Sequence, residues 1–176
     1  MLAFVENLKT STQLRWNKVH RFQSKIQIKI EMGPYLIKTA ESSEELIESF
    51  RLRHQIFKNE FCGTIGQGLD FDRYDFFFDH LLIQLKETKK IIGTYRLNCS
   101  TFSHQSYTEL EFQIDSLFNA PGPHLELGRA CIALEYRKGS VITLYTKLNP
   151  SLRAICSMAM SGTIFIHSSK LHCPYF

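Results

Sequence analysis

Four groups of residues have types and spacings that suit chemistry. The first is Arg53, which falls on the apolar stripe made by Leu46, Phe50 and Phe57 if residues 43–60 are helical. The four lie within about 60° of arc on a helical wheel. A guanidinium on a buried face is costly unless carboxylates or a ligand meet it, so Arg53 is expected to be buried and matched by Asp72, Asp75 or Glu126. The second is the run 70–79, DFDRYDFFFD, which sets Asp70, Asp72, Asp75 and Asp79 among five aromatic residues. Such a loop is expected over a cleft, rings inward and selected carboxylates turned to the interior. It lacks the ligand spacing and closing glutamate of a calcium loop. The third is Leu125-Glu126-Leu127-Gly128-Arg129. Glu126 and Arg129 have opposite parity on a strand, and a bulge at Gly128 would bring both to one face. The fourth is Arg137-Lys138-Gly139-Ser140-Val141, a basic glycine turn entering an apolar segment. Free amides at such a helix start suit phosphate.

The elements that must position these groups can be read from local pattern. Residues 25–31, KIQIKIE, alternate like a half-exposed strand, and Gly33-Pro34 breaks the chain. Residues 35–39 read as a short strand. Ser42 with Glu45 fits a capping box, opening a helix over about residues 43–60. Residues 80–86 and 91–98 form a hairpin, the second strand carrying Arg96. Residues 99–122 are irregular, with a helical turn expected near 112–118. His124 to Ala133 is the next strand. A helix should follow Gly139, broken early by Asn149-Pro150, with residues 162–169 as a last strand.

The chain has 176 residues, 44% apolar and 22% charged, which suits a globular body and excludes a disordered tail. No apolar run approaches the roughly 18–20 residues of a membrane span, and no signal-peptide pattern opens the sequence. The net charge of +4 sits in residues 1–32, which hold six Lys/Arg against two Glu; the rest is neutral. We read 1–32 as a basic arm and 33–176 as the main domain. The arm is a solvated extension or docks on an anionic partner: membrane headgroups, nucleic acid or an acidic carrier protein. Its Leu8, Leu14, Trp16 and Phe22 could enter a membrane interface. The five cysteines form no Cys-x-x-Cys pair and read as free thiols of a reducing cytoplasm. His167 with His172-Cys173 is the nearest approach to a metal set, and its spacing is poor.

The order strand, helix, hairpin, strand, basic glycine turn, helix resembles the GNAT acyltransferase superfamily, with residues 136–141 at the place of its pyrophosphate turn and Val141 replacing a usual small residue. A narrower pattern is similar to the acyl-homoserine lactone synthases and the ornithine N-acyltransferases called hemolysin-like. It comprises Arg53 with Phe57, Asp72 with Asp75, Gly93 with Arg96, and Glu126 with Arg129, over about residues 35–145. Residues 125–129 look closer to the ornithine branch, and the absence of a tryptophan after the Arg53 helix departs from many lactone synthases.

The resemblance implies an α/β (α+β) three-layer fold, a mostly antiparallel sheet flanked by helices, with a C-terminal part that reads as short. It implies transfer of a (3-hydroxy)fatty acyl group from acyl carrier protein, as a phosphopantetheine thioester, to an amino acid such as ornithine, giving a lyso-ornithine-lipid type product. The alternatives are a lactone signal synthase using S-adenosylmethionine and a truncated, non-catalytic module. Glu126 is the implied base, with Arg129, Asp72 and Asp75 as catalytic companions. Arg53, Phe57 and Arg96 would bind the acceptor, arginine for its carboxylate and aspartate for its side-chain ammonium. The alternative reading of the same charges is a structural ion-pair network that fixes the loop on the sheet. Arg137, Lys138, Gly139, Ser140 and Val141 would hold the donor phosphate. No metal or redox cofactor is implied. The implied setting is cytoplasmic, with peripheral contact on the inner membrane and no nucleic acid.

Overall fold

A computed structural model describes residues 17, 19–63, 66–110, 113, 122, 124–137, 141 and 164–166. Six strands form one sheet in chain order: β1 (Lys29–Met32), β2 (Tyr35–Thr39), β3 (Asp79–Leu85), β4 (Ile91–Cys99), β5 (Leu125–Ile132) and β6 (Ile164–Ile166). Neighbours from β1 to β5 run antiparallel, and β6 lies parallel to β5 with Ile164 opposite Leu125. This is the mostly antiparallel α/β architecture expected. The β1–β2 hairpin turns at Gly33, whose φ of +57° belongs to the left-handed region that glycine enters without steric cost.

β3 is buried on both faces, which explains its nearly continuous apolar run HLLIQL. Leu81 and Ile83 face a core with Ile37, Leu97, Leu125 and Leu127; Leu82 faces the other core. Over the second face lies helix α1 (Ser43–His54), which presents Leu46, Phe50 and Arg53 to the sheet. Burying a side chain such as Phe50 is worth about 2–3 kcal/mol. Ser42 caps the helix by accepting from Glu45 N at 3.3 Å, and Glu45 reaches back to Glu41 N at 2.9 Å.

Two expectations are corrected. The single helix over 43–60 changes at Gln55 into a seven-residue π segment, Gln55–Phe61. The apolar stripe gave no sign of it, because the spacing from Leu46 to Phe57 also fits an uninterrupted α-helix. The strand drawn over 25–31 begins only at Lys29. Before it, the amides of Lys25 and Ile26 turn away from the ladder and donate to the Asp79 carboxylate, both at 2.9 Å. The described part of the basic arm packs on the main domain. β1 pairs with β2, and Val19, Ile26 and Ile28 are buried in the cores. Phe22, partly buried, packs edge-on against His80, 5.5 Å between ring centres. Leu8, Leu14, Trp16, the turn near 112–118, the break at Asn149-Pro150 and the His167–Cys173 group lie outside the described residues. No helix among the described residues is long and apolar enough to cross a membrane.

Candidate active site

Arg53, Asp72, Asp75, Arg96 and Arg129 converge on the α1 face of β4 and β5. Their order begins with a local motif. Asp72 caps a 3-10 turn, Arg73–Phe76, and Asp75 answers it in a capping box: Asp72 Oδ1 accepts from Tyr74 N at 2.8 Å, and Asp75 Oδ2 from Asp72 N at 2.7 Å. The Asp-x-x-Asp spacing therefore has a structural use before any functional one. The turn delivers both carboxylates to the helix. Arg53 meets Asp75 with two bonds, Nη1 to Oδ1 at 2.6 Å and Nη2 to Oδ2 at 3.1 Å, while its Nε donates to Asp70 at 3.1 Å. Arg53 is 1% exposed and Asp75 is fully buried. Burial alone would lower the Arg53 pKa, but the facing Asp75, Asp70 and Asp72 charges outweigh it and raise it. Burial likewise pushes Asp75 up, and Arg53, Arg96 and His80 together hold it well below the usual carboxylate range.

The relay continues across the sheet. Arg96 Nη1 lies 2.9 Å from both oxygens of Asp72 and 3.3 Å from Asp75 Oδ1, with the Arg96 side chain 2% exposed. Arg129 Nη2 reaches Asp72 Oδ2 at 3.3 Å from the neighbouring strand. Opposite Tyr95 the β4–β5 register shifts: Arg96 pairs with Gly128 and Thr94 with Cys131, so Arg129 and Ala130 share one partner. The bulge thus falls one residue beyond Gly128, whose missing side chain faces open space. Arg129 itself takes the left-handed conformation, φ +51°. This bulge turns Arg129 toward the residues that Glu126 also approaches, as the parity argument required.

Arg129 is the least satisfied guanidinium of the three. Among the described residues it makes one hydrogen bond, the 3.3 Å contact to Asp72, and its buried Nε has no hydrogen-bond partner. Two rings approach its Cζ: Phe57 at 5.8 Å and Tyr107 at 5.6 Å. Glu126 has a different environment. Its Oε2 accepts from Tyr107 N at 3.1 Å, and its Oε1 accepts from Thr108 N and Thr108 Oγ1, both at 2.8 Å. Three of a carboxylate's roughly four acceptor positions are thereby used.

Asp70, His80, Tyr107 and Glu60 were not singled out as site residues. Asp70 was visible in the aspartate loop. His80 is fully buried beneath Asp75, its Nε2 3.0 Å from the Asp75 carbonyl, and burial pushes its pKa down to about 4. Tyr107 lies in an irregular stretch with no periodic signal. Glu60, one residue before the end of the π segment, has a carboxylate that both terminal nitrogens of Arg137 grip, Nη2 to Oε2 at 2.7 Å, while Arg137 Nε donates to the Ile132 carbonyl at 2.9 Å. Arg137, placed with the donor phosphate by sequence, is thus engaged within the protein. Val141 is 1% exposed and packs in the core. Lys138, Gly139 and Ser140 lie outside the described residues. Cys131 is buried, and burial pushes its thiol pKa up to about 12.

Known proteins resemble this chain in sequence and in fold. The L-ornithine N(alpha)-acyltransferase of Agrobacterium fabrum is 29% identical over 128 residues, covering 64% of this chain and 44% of that protein. The enzyme of the same name from Rhizobium meliloti is 30% identical over 120 residues, 60% and 40% respectively. The matched stretch spans less than half the length of these curated relatives. In fold, the chain is similar to the AHL synthase LasI, with a TM-score of 0.51 at 21% identity over 80% of this chain and 72% of that one. It is similar also to the CoA-dependent acyl-homoserine lactone synthase BjaI, solved with SAM and isopentyl-CoA, with a TM-score of 0.51 at 23% identity over 70% and 59%. Residues 52–147, more than half of the chain and the stretch running from Arg53 through Val141, match the acetyltransferase (GNAT) domain, and the protein belongs to that family.

Proposed function

We propose that the protein transfers an acyl group from a thioester to the amine of an amino acid of the ornithine type. One observation carries the acceptor assignment: Arg129 retains unused donors at the open end of a relay in which Arg53 and Arg96 are already held by aspartates. A guanidinium with spare, geometrically fixed N–H groups suits a carboxylate. The amine then attacks the thioester carbonyl, the C–N bond forms, and the thiolate leaves. The developing oxyanion needs preorganised donors, and the bulge at Arg129–Ala130, where the β4–β5 ladder is interrupted, is the proposed source of backbone N–H groups. The acyl chain would arrive on a phosphopantetheine arm from acyl carrier protein, its phosphate at residues 138–141. Arg137 would join only after releasing Glu60. Glu126 would take the amine proton only through its remaining acceptor position, most simply through a water.

The names of the sequence relatives support ornithine as acceptor, and a lipid product that leaves through the membrane follows from that reading. The test is an acyl-transfer assay with acyl carrier protein and coenzyme A thioesters, following thiol release and product mass. L-Ornithine as acceptor is expected to give N-acylornithine. Turnover with S-adenosylmethionine and none with ornithine would replace this reading with the signal-synthase one.

A further inference from the structure

We propose that Tyr107 is a positioning residue for acceptor recognition, set in place by Glu126; this rests on Arg129 receiving the acceptor's carboxylate. The segment 100–107 has no regular structure, yet its end is fixed firmly. Glu126 gathers three donors from two consecutive residues, Tyr107 and Thr108, and Asn98 Nδ2 donates to the Gln105 carbonyl at 2.6 Å. Asn98 and Glu126 are cross-strand partners, so the segment is pinned to the same two strands that carry Arg96 and Arg129. The result is a ring placed 4.9 Å from Arg96 Cζ and 5.6 Å from Arg129 Cζ, with Tyr74 edge-on at 5.5 Å.

The value of an aromatic ring here lies in what it leaves alone. An acid placed beside Arg129 would orient the guanidinium by consuming its N–H donors. A ring attracts the cation through its π-face and leaves those donors for an incoming anion. Arg129 is partly buried, on a strained backbone, and tied to Asp72 by one long hydrogen bond. Without Tyr107, the long side chain would lose one of its two ring contacts. Glu126 then contributes to recognition through Tyr107, whether or not it also receives a proton.

The experiment uses the full chain, with L-ornithine and 1,4-diaminobutane, the same diamine lacking the carboxylate. Calorimetric titration measures binding, and acyl transfer gives kcat and KM. The wild type should bind ornithine more tightly than the diamine. Tyr107→Leu should weaken ornithine binding and raise its KM by about tenfold, with kcat and diamine affinity changed by about twofold or less. Tyr107→Phe, which keeps the ring, should behave as wild type. Thr108→Val, which removes one of the three donors, should shift KM in the same direction as Tyr107→Leu. The inference is overturned if Tyr107→Leu affects both amines alike, if it lowers kcat alone, or if Tyr107→Phe fails to restore ornithine affinity. Should no acyl transfer occur with either amine, the proposed activity fails, and calorimetry still decides: equal affinity of the wild type for the two amines sinks the role of Tyr107.

Discussion

Removing the Arg53 guanidinium would leave Asp75 buried with its main counter-charge gone. Arg53→Met should therefore cost about 3–5 kcal/mol in urea unfolding. Asp75→Asn in the same background should recover part of the loss, because the uncompensated charge goes with it. Simple additivity of the two changes would argue that the pair is not coupled. His80 makes a second residue-level prediction, at acid pH. Above about pH 6.5 the ring is neutral whether the chain is folded or not. As pH falls toward 4 the unfolded chain takes up the proton while the buried ring, pushed down to about 4 and facing Asp75, Arg53 and Arg96, does not. Stability should decline across that window by up to about 3 kcal/mol. Asp75, depressed below the ordinary carboxylate range, adds a further loss below about pH 4. His80→Gln should flatten the melting-temperature slope between pH 6.5 and 4 and spare the lower one; parallel slopes would exonerate the histidine. Arg53 was legible in the sequence because a charge inside an apolar stripe demands a partner. His80 was not, since a lone histidine opening an apolar strand carries no such contradiction.

Among the described residues, two besides glycine hold left-handed backbone, Lys89 in the β3–β4 turn and Arg129 in the β5 bulge. The same strain has opposite meanings in the two elements. Lys89 is exposed and its φ serves only the turn, so Lys89→Gly should stabilise by about 1 kcal/mol and leave acyl transfer untouched. At Arg129, glycine should exceed alanine in stability by about 1 kcal/mol, yet both should lose ornithine affinity. If Arg129→Gly and Arg129→Ala melt together, the bulge is not strained. Strand positions, the hairpin and the helix start could be read from alternation, turn residues and Ser42. The π segment and the location of the bulge could not. Both are adjustments of hydrogen-bond register, which depend on tertiary neighbours such as the Glu60–Arg137 pair more than on local composition.

At the level of the molecule, the charge asymmetry is a property of composition, and the described part of the basic arm is also packed on the main domain. Net charge reports solubility and attraction but says little about packing. Residues 19–32 carry buried Val19, Ile26 and Ile28, two amides bound by Asp79, and an edge strand. A chain beginning at Gly33 should therefore melt far below the full-length protein, beyond any loss of vesicle binding; equal melting temperatures would restore the arm as an independent appendage. The strand order has a consequence in time. β1 to β5 form a meander in which every partner is the next strand along the chain, whereas β5 and β6 are joined in parallel across a long connection. Loops that close early cost little entropy, and the parallel partner must wait. During synthesis, the hairpin 79–99 can form before β5 has left the ribosome, and β6 arrives as a late addition to a ladder already built. Pulse-labelled hydrogen exchange during refolding should show amides of β3 and β4 protected ahead of those of β6. Simultaneous protection would mean that the sheet forms as one cooperative unit.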